Sequence, residues 1–391
     1  MPPHQSVHSV PILQTCFSRS WGGLEMQALE VTAQLHLRGY PVWLACLPSS
    51  RLQSEAEGRG IAVLPFNAVG YLHPLVIVRL ARFLRKEAIR IVHCQLSHDL
   101  STVVPAADLS RSCRVIILSK RMGSFLTKRD PFHRYTYSRV DRILAISEVI
   151  HRNVLETTPV SPERVLTLHD AVEVTGFSPD PEIRKATRHE FGYDDTNVVV
   201  GFVGRFSRGK GQEDLLHAAQ EIIHLHPSTR FLIVGEASAG EEGYEREIRQ
   251  LCSTLGLGHA VTFAGYRRDI RKILPAMDLF AFPSHAESFG VSLIEAMAEG
   301  LAAVASSSDG VLDIVTEGQT GLLVAPKSPH ELAVALTRLI EDPSLRDRLG
   351  RAARQRVLEK FERAAQLDRL ELIYKEVLQE KVGSGKPGKG N

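Results

Sequence analysis

Short apolar runs alternate along this chain with longer stretches whose apolar positions recur at helical spacing, a pattern that predicts parallel strands covered by helices. One set of strand candidates falls at 10–15, 42–46, 62–65, 89–93, 115–118 and 142–146, with a weaker one at 165–168. Helical spacing between them predicts helices over 24–38, 74–86 and 148–156. A second set of strands follows at 198–203, 231–234, 260–263, 279–282, 302–305 and 321–324. Its helices are predicted over 212–225, 244–255, 290–298 and 329–341, ahead of a long charged helical region from 345 to about 381.

Between the two sets, residues 171–181 break the alternation with Gly176, Pro179 and Pro181, and this segment reads as a linker. The expected architecture is α/β, with a first doubly wound parallel-sheet domain over 1–175 and a second over 176–365. A closing helix over 366–380 is expected to pack back toward the first domain, and the glycine- and lysine-rich 381–391 to be a disordered tail. A length of 391 residues agrees with two cores rather than one.

Composition changes this picture little: 43% apolar and 24% charged residues are ordinary for a globular protein. Charge is less even, because net charge is +2 while residues 1–180 carry 20 basic against 15 acidic side chains. The first domain is therefore the one suited to an anionic partner, although nothing suggests nucleic acid. Five scattered cysteines form no CxxC pair or metal-ligand spacing, which points to buried thiols in a reducing compartment. The opening MPPHQSVHSVPILQTC lacks the pattern of a secretory leader, and no apolar run approaches the roughly 20 residues of a membrane span. A cytoplasmic protein is expected. Helix 74–90 sets Arg79, Arg82, Arg85, Lys86 and Arg90 beside apolar residues, which suits either a weak peripheral contact with the inner face of an anionic membrane or a sheet-covering helix with a basic outer face.

Ligands of open α/β sheets bind at the carboxyl ends of strands. After strand 279–282 the chain reads PSHAESFGVSLIEAMAEG over 283–300, placing Glu287 in the turn and Glu295 in the first turns of the helix. A helix mouth of this kind favours a phosphate, while the two carboxylates would accept hydrogen bonds from neutral hydroxyls. After strand 198–203 the chain reads GRFSRGKG over 204–211, and Arg205 with Lys210 on flexible backbone could neutralise a diphosphate. Gly204, Gly209 and Lys210 also satisfy the start of a P-loop, but Gly211 stands where that motif needs Ser or Thr.

Taken in order, SWGGLEMQALEVTAQLHLRGYPV, IVHCQ, ILAISEVI, FVGRFSRGKG, FLIVGE, VTFAGYRRDI and DLFAFPSHAESFGVSLIEAMAEGLAAVAS make the chain resemble the retaining glycosyltransferases of family 4, or group 1 glycosyl transferases, over nearly its whole length. The resemblance implies the GT-B fold, two Rossmann-like domains facing a central cleft, and a UDP- or GDP-sugar as donor without a metal or other cofactor. It implies that Arg205 and Lys210 bind the donor diphosphate. Glu287 would hold the sugar and Glu295 the ribose hydroxyls, with Gly204, Ser288, Phe289, Gly290 and Val291 lining the donor. Arg267 is expected near the base, and Gly22 and Gly23, after the first strand, against the donor phosphate or the acceptor. His93 lies at a strand end on the acceptor side.

Two segments depart from the family pattern. Where members often carry a histidine after the fifth strand, this chain has Ser119-Lys120-Arg121-Met122-Gly123, and where they carry an Asn-Gly-Val-Asp-like segment it has Asp170-Ala171-Val172-Glu173. Lys120 or Arg121, with Lys128, Arg129 and Arg134, is then expected to face an acidic acceptor, a glycan or glycolipid of the cell envelope such as a lipopolysaccharide or polysaccharide precursor. The same departures leave open a catalytically silent binding or scaffold protein, and the architecture also accommodates a sugar-nucleotide epimerase.

Overall fold

A computed structural model describes residues 10–68, 70, 73–177, 180–238 and 240–383. The chain divides into two compact units, one ending at His169 and resuming at Ala364, the other running from Asp170 to Arg363.

The first unit alternates as β1 (Ile12–Cys16), α1 (Gly23–Leu37), β2 (Val42–Cys46), α2 (Arg51–Gly58), β3 (Ala62–Pro65), α3 (Pro74–Lys86), β4 (Ile91–Cys94), α4 (Leu100–Ser110), β5 (Val115–Lys120), α5 (Pro131–Ser138), β6 (Arg142–Ala145), α6 (Glu148–Thr157) and β7 (Val165–Thr167). All strands pair in parallel in the order β3-β2-β1-β4-β5-β6-β7, so the order reverses between β1 and β4. Central strands are buried on both faces, which is why each opens on consecutive apolar residues, with polar ones toward the carboxyl ends of β1, β4 and β5. Helix α3 turns Leu80, Ala81 and Leu84 inward while Arg82, Arg85 and Lys86 stay outside, the arrangement of a sheet-covering helix.

The second unit comprises α7 (Pro181–Glu190), β8 (Val199–Val203), α8 (Gln212–Leu225), β9 (Arg230–Val234), α9 (Glu242–Thr254), β10 (Val261–Gly265), α10 (Ile270–Ile273), β11 (Leu279–Phe282), α11 (Val291–Glu299), β12 (Ala302–Ser306), α12 (Val311–Ile314), β13 (Leu322–Val324), α13 (Pro329–Glu341) and α14 (Pro343–Lys360). Its parallel sheet runs β10-β9-β8-β11-β12-β13, reversing between β8 and β11. The two reversal points are where loops at strand ends open a crevice.

The charged region expected to be one long helix is two, α14 and α15 (Arg363–Gly383). Between them the backbone of Val172 donates to Phe361 O and accepts from Arg363 N, at 2.9 and 3.0 Å, so the segment after His169 and the one before Ala364 run side by side in the second unit. The unit boundary therefore lies at 169/170 instead of 175/176, because this pairing draws 170–175 into the second unit. Helix α15 belongs to the first, where Leu367, Leu370, Ile373, Tyr374 and Val377 form one stripe against Ile12, Val42, Ile91 and Ile117. Salt bridges from Arg38 to Asp368 and Glu371, and from Lys381 to Asp141, border that stripe. Residues 381–383, expected in a disordered tail, complete this helix; 384–391 lie outside the described residues. All five cysteines are free and buried, and no described helix is long and apolar enough to cross a membrane.

Candidate active site

In the second unit, the loops after β8 and β11 are held together by backbone that tolerates no side chain. Gly211 has φ +75°, and a Cβ there would lie 2.1 Å from Pro283 O. Gly310 is equally confined, since its Cβ would lie 2.3 Å from Ser288 O while its N–H donates to Glu287 O at 2.9 Å. His285 ties the loops further: its N–H donates to Gly209 O at 2.8 Å, and its Nε2 meets Asp214 Oδ2 at 2.7 Å. The sequence reading missed this His285–Asp214 pair. Its only signal was position, a histidine two residues before Glu287 and an acid in the first turn of α8.

This clamp brings Lys210 to Glu287, with Nζ 2.5 Å from Oε2 and both side chains largely covered. Arg205 is exposed and its guanidinium donates to Ser238 Oγ at 3.1 Å, leaving most of its donors facing solvent beside the same loop. Gly204 begins the turn, held by its N–H to Val234 O at 3.0 Å. Gly290, in the left-handed region at φ +132°, is the N-cap of α11, so the first-turn amides at Val291 and Ser292 have no partner one turn earlier. Ser292 Oγ donates to Val203 O at 2.8 Å, fixing that helix mouth against the end of β8. Phe289 is a core side chain, edge-on to Phe361 with ring centroids 5.6 Å apart, so only its backbone is available to a ligand alongside the partly covered Ser288.

Glu295, in the second turn of α11, is partly covered, and burial pushes its carboxyl up to about 7 against the opposing pull of Arg271 and Arg363. Among the described residues none hydrogen-bonds or ion-pairs with that carboxylate. A desolvated acceptor of this kind is suited to neutral donors such as hydroxyls. Arg267 is not brought to this group: it pairs with Glu190 and with Asp269, the latter at 2.9 Å, over the ring of Phe191. This local charge matching fastens the loop after β10 to α7 and engages the guanidinium that was expected near the base.

In the first unit, the polar end of the sheet gathers around β1, β4 and β5. Gln14 and His93 are register partners on β1 and β4. Tyr374 OH lies 2.7 Å from His93 Nδ1, and His93 Nε2 lies 2.8 Å from Ser119 Oγ. Burial, with Arg121 adding to it, pushes the imidazole down to about 3, so it is neutral and both nitrogens are engaged. His93 is thus a core residue with no free donor or acceptor for a substrate. Arg121 is buried too, and reaches Gln95 Oε1 at 3.4 Å; Gln95 in turn donates to Gln14 at 2.8 Å.

Lys120 is different. It is 7% exposed at the end of β5, burial with help from Lys128 pushes it down to about 8, and none of the described residues pairs with its ammonium. A buried cation with no counter-charge among the described residues is poised for an anion from outside. Asp99, on the same side of the sheet, is pushed up to about 7 by burial, against hydrogen bonds from Thr15 and Phe17. Gly22 caps α1, and its N–H donates to Glu25 Oε2 at 2.9 Å; that amide is already used and cannot serve a phosphate. Gly23, the first residue of α1, is exposed with open space around it.

Residues 21–175 match the family model Glycosyltransferase Family 4, and residues 183–356 match Glycosyl transferases group 1. The D-inositol 3-phosphate glycosyltransferase of Corynebacterium kroppenstedtii is 30% identical over 257 residues, 63% of this chain and 57% of that protein, so the matched stretch spans a little over half the relative's length. The protein of the same name from Rhodococcus opacus is 28% identical over 369 residues, covering 87% of this chain and 82% of that one. Among solved structures, Anabaena HepE in complex with UDP and glucose has the same fold, with TM-score 0.82 at 21% identity over 94% of this chain and 99% of that chain.

Proposed function

The chain belongs to the family 4, group 1 glycosyl transferases of GT-B fold, and we propose that it transfers a sugar from a nucleoside diphosphate to an anionic acceptor, with retention of configuration and without a metal ion. The observation that carries this reading is the clamp in the second unit, where Lys210, Glu287, Arg205 and the α11 mouth converge while Glu295 has no partner among the described residues. Arg205 and Lys210 supply cationic donors for the diphosphate, whose charge grows as the sugar–oxygen bond breaks. When the diphosphate draws Lys210 away, Glu287 is released to accept hydrogen bonds from the sugar hydroxyls. Glu295 accepts from the ribose hydroxyls, and the amides of Gly290 and Val291 face the phosphate. With charge handled in this way, a donor phosphate oxygen takes the acceptor proton, and the protein contributes positioning and electrostatic preorganisation instead of a general base.

The acceptor we assign to the first unit, where the ammonium of Lys120, without a partner among the described residues, supports an anionic group on a cell-envelope glycan or lipid-linked precursor. HepE was solved with UDP, and the Corynebacterium relative is named for a phosphorylated inositol. Both agree with a UDP-sugar donor and a phosphate-bearing acceptor here. The basic outer face of α3 agrees with work at the inner face of the cell membrane as a peripheral protein. A donor screen that follows nucleoside-diphosphate release, together with calorimetry on UDP and GDP, tests the proposal. Tight binding of one nucleotide and acceptor-dependent release of it are expected; binding of neither would overturn the reading.

A further inference from the structure

The turn after β5 exposes apolar side chains that a water-facing loop ordinarily hides. Phe125 is 106% exposed and Leu126 76%, with Met122 at 57% beside them. The turn does not achieve this by being loose. Asn153 on α6 accepts from Ser124 N at 2.7 Å and donates to Ser124 O at 3.0 Å, and Lys128 N donates to Thr157 O at 2.6 Å. Helix α6 thus grips the turn on both sides of its apolar tip and holds Phe125 and Leu126 outward.

Basic side chains outnumber acidic ones around this tip. Arg134 donates from Nε to Arg129 O at 2.8 Å, which places the two arginines side by side, and Arg129 donates to Glu156 O at 3.3 Å. Both bonds end on carbonyls, so neither guanidinium is neutralised by a carboxylate among the described residues. Asp130, the acid within this stretch, is spent on capping α5 and on His133. Phe132, on the first turn of α5, adds a further exposed ring at 38%.

We propose that residues 122–126, with Arg129 and Arg134, dock the first unit on an anionic lipid bilayer, Phe125 and Leu126 entering the interfacial layer and the two guanidiniums meeting headgroup phosphates. An apolar tip of two or three side chains ringed by cations is too small for a stable protein interface, which needs roughly 800 Å² per partner. It is the size and charge pattern of an interfacial anchor. The assignment rests on the peripheral membrane contact proposed above, and is independent of the sugar transfer. It moves that contact from α3, which turns Leu80, Ala81 and Leu84 inward and exposes Leu75 and Val78, to a turn that presents Met122, Phe125 and Leu126 together beside two arginines. The turn also starts one residue after Arg121, so it would bring the unpaired Lys120 close to headgroup level, where a lipid-linked acceptor presents its phosphate.

Co-sedimentation of the full chain with vesicles of phosphatidylcholine, alone or mixed with phosphatidylglycerol, tests the proposal. Binding to the mixed vesicles and little to the neutral ones is expected, and the double variants Phe125→Ser/Leu126→Ser and Arg129→Gln/Arg134→Gln should each weaken it at least about tenfold. Leu75→Ser/Val78→Ser on α3 should bind as the unaltered chain does. Because the replaced side chains are exposed, circular dichroism and UDP calorimetry should be unchanged in all three variants. If the unaltered chain ignores both vesicle types, the peripheral contact itself is wrong. If it binds but the 125/126 variant binds equally well, the turn is not the anchor. Sedimentation velocity showing that the same variant breaks up a dimer, with vesicle binding intact, would assign the tip to a second copy and overturn the proposal.

Discussion

Lys210 Nζ lies 2.5 Å from Glu287 Oε2, so the cation proposed for the donor diphosphate is paired with the carboxylate proposed for the sugar. Two loops from different strands meet in this pair. Binding a diphosphate must therefore compete with Glu287 for Lys210.

This competition predicts opposite effects of one substitution. Glu287→Gln should tighten UDP by about fivefold, since a partly covered ion pair worth roughly 1 kcal/mol no longer opposes it. The same change should reduce sugar transfer by about a hundredfold through loss of the hydroxyl acceptor. Calorimetry with UDP and steady-state rates check the two halves, and weaker UDP binding in the variant would show that the pair does not compete.

Arg205→Ala should lower kcat/KM by about 10²–10³-fold without moving the melting temperature. Its side chain is exposed and, among the described residues, bonds only to Ser238, so removing it leaves the fold intact. Near-normal turnover would remove Arg205 from the site.

Glu295 sets a pH dependence. Its carboxyl, pushed up to about 7, must be ionised to accept two hydroxyls, so donor affinity should fall as pH drops below 7, approaching tenfold per unit. In the free protein the sign reverses: burial favours the protonated form, so this group's contribution to stability is greatest below about 4.5, its ordinary value, and is lost as pH rises through about 7. Glu295→Gln should flatten both profiles and greatly reduce transfer. A donor-affinity profile that keeps its slope in that variant would place the titration elsewhere.

Lys120→Met should raise KM for an anionic acceptor about tenfold or more and leave UDP binding alone. The variant should also be more stable at pH 7, by about 1–3 kcal/mol, because the folded protein holds a desolvated ammonium whose cost fades only as pH rises through about 8. Denaturant unfolding at pH 7 and pH 9.5 checks the second claim: the advantage should shrink at the higher pH.

If Arg205 and Lys210 replace a metal, transfer should survive chelation by EDTA undiminished. A rate that collapses and is restored by magnesium or manganese would show that the diphosphate needs a cation the chain does not supply.

The thirteen strands among the described residues were legible as short apolar runs, because the inner strands of a parallel sheet are buried on both faces and polar residues gather at their carboxyl ends. Helices α2, α4, α5, α7 and the four-residue α10 and α12 were not assigned. α2, α5 and α7 are short and mostly polar, and α4 contains Pro105, so propensity and periodicity were weak there. In the site, the loops of Arg205, Lys210, Glu287 and Glu295 could be found from spacing at strand ends, since strand order alone carries them to one edge of the sheet.

Sequence by itself thus determined the two parallel sheets and the loops that bear charge, both properties of local pattern, while the departure at Ser119-Lys120-Arg121-Met122-Gly123 showed only against the family resemblance. Tertiary structure decided which of those charges are free. Lys120 and Arg121 are neighbours in sequence and equally buried, yet Arg121 reaches Gln95 while Lys120 has no described partner. His93 was lost to Tyr374, a residue brought back from α15, and Arg267 to Glu190 on α7. Whether a polar group serves the fold or a ligand depends on partners far away in the chain, and spacing carries no record of them.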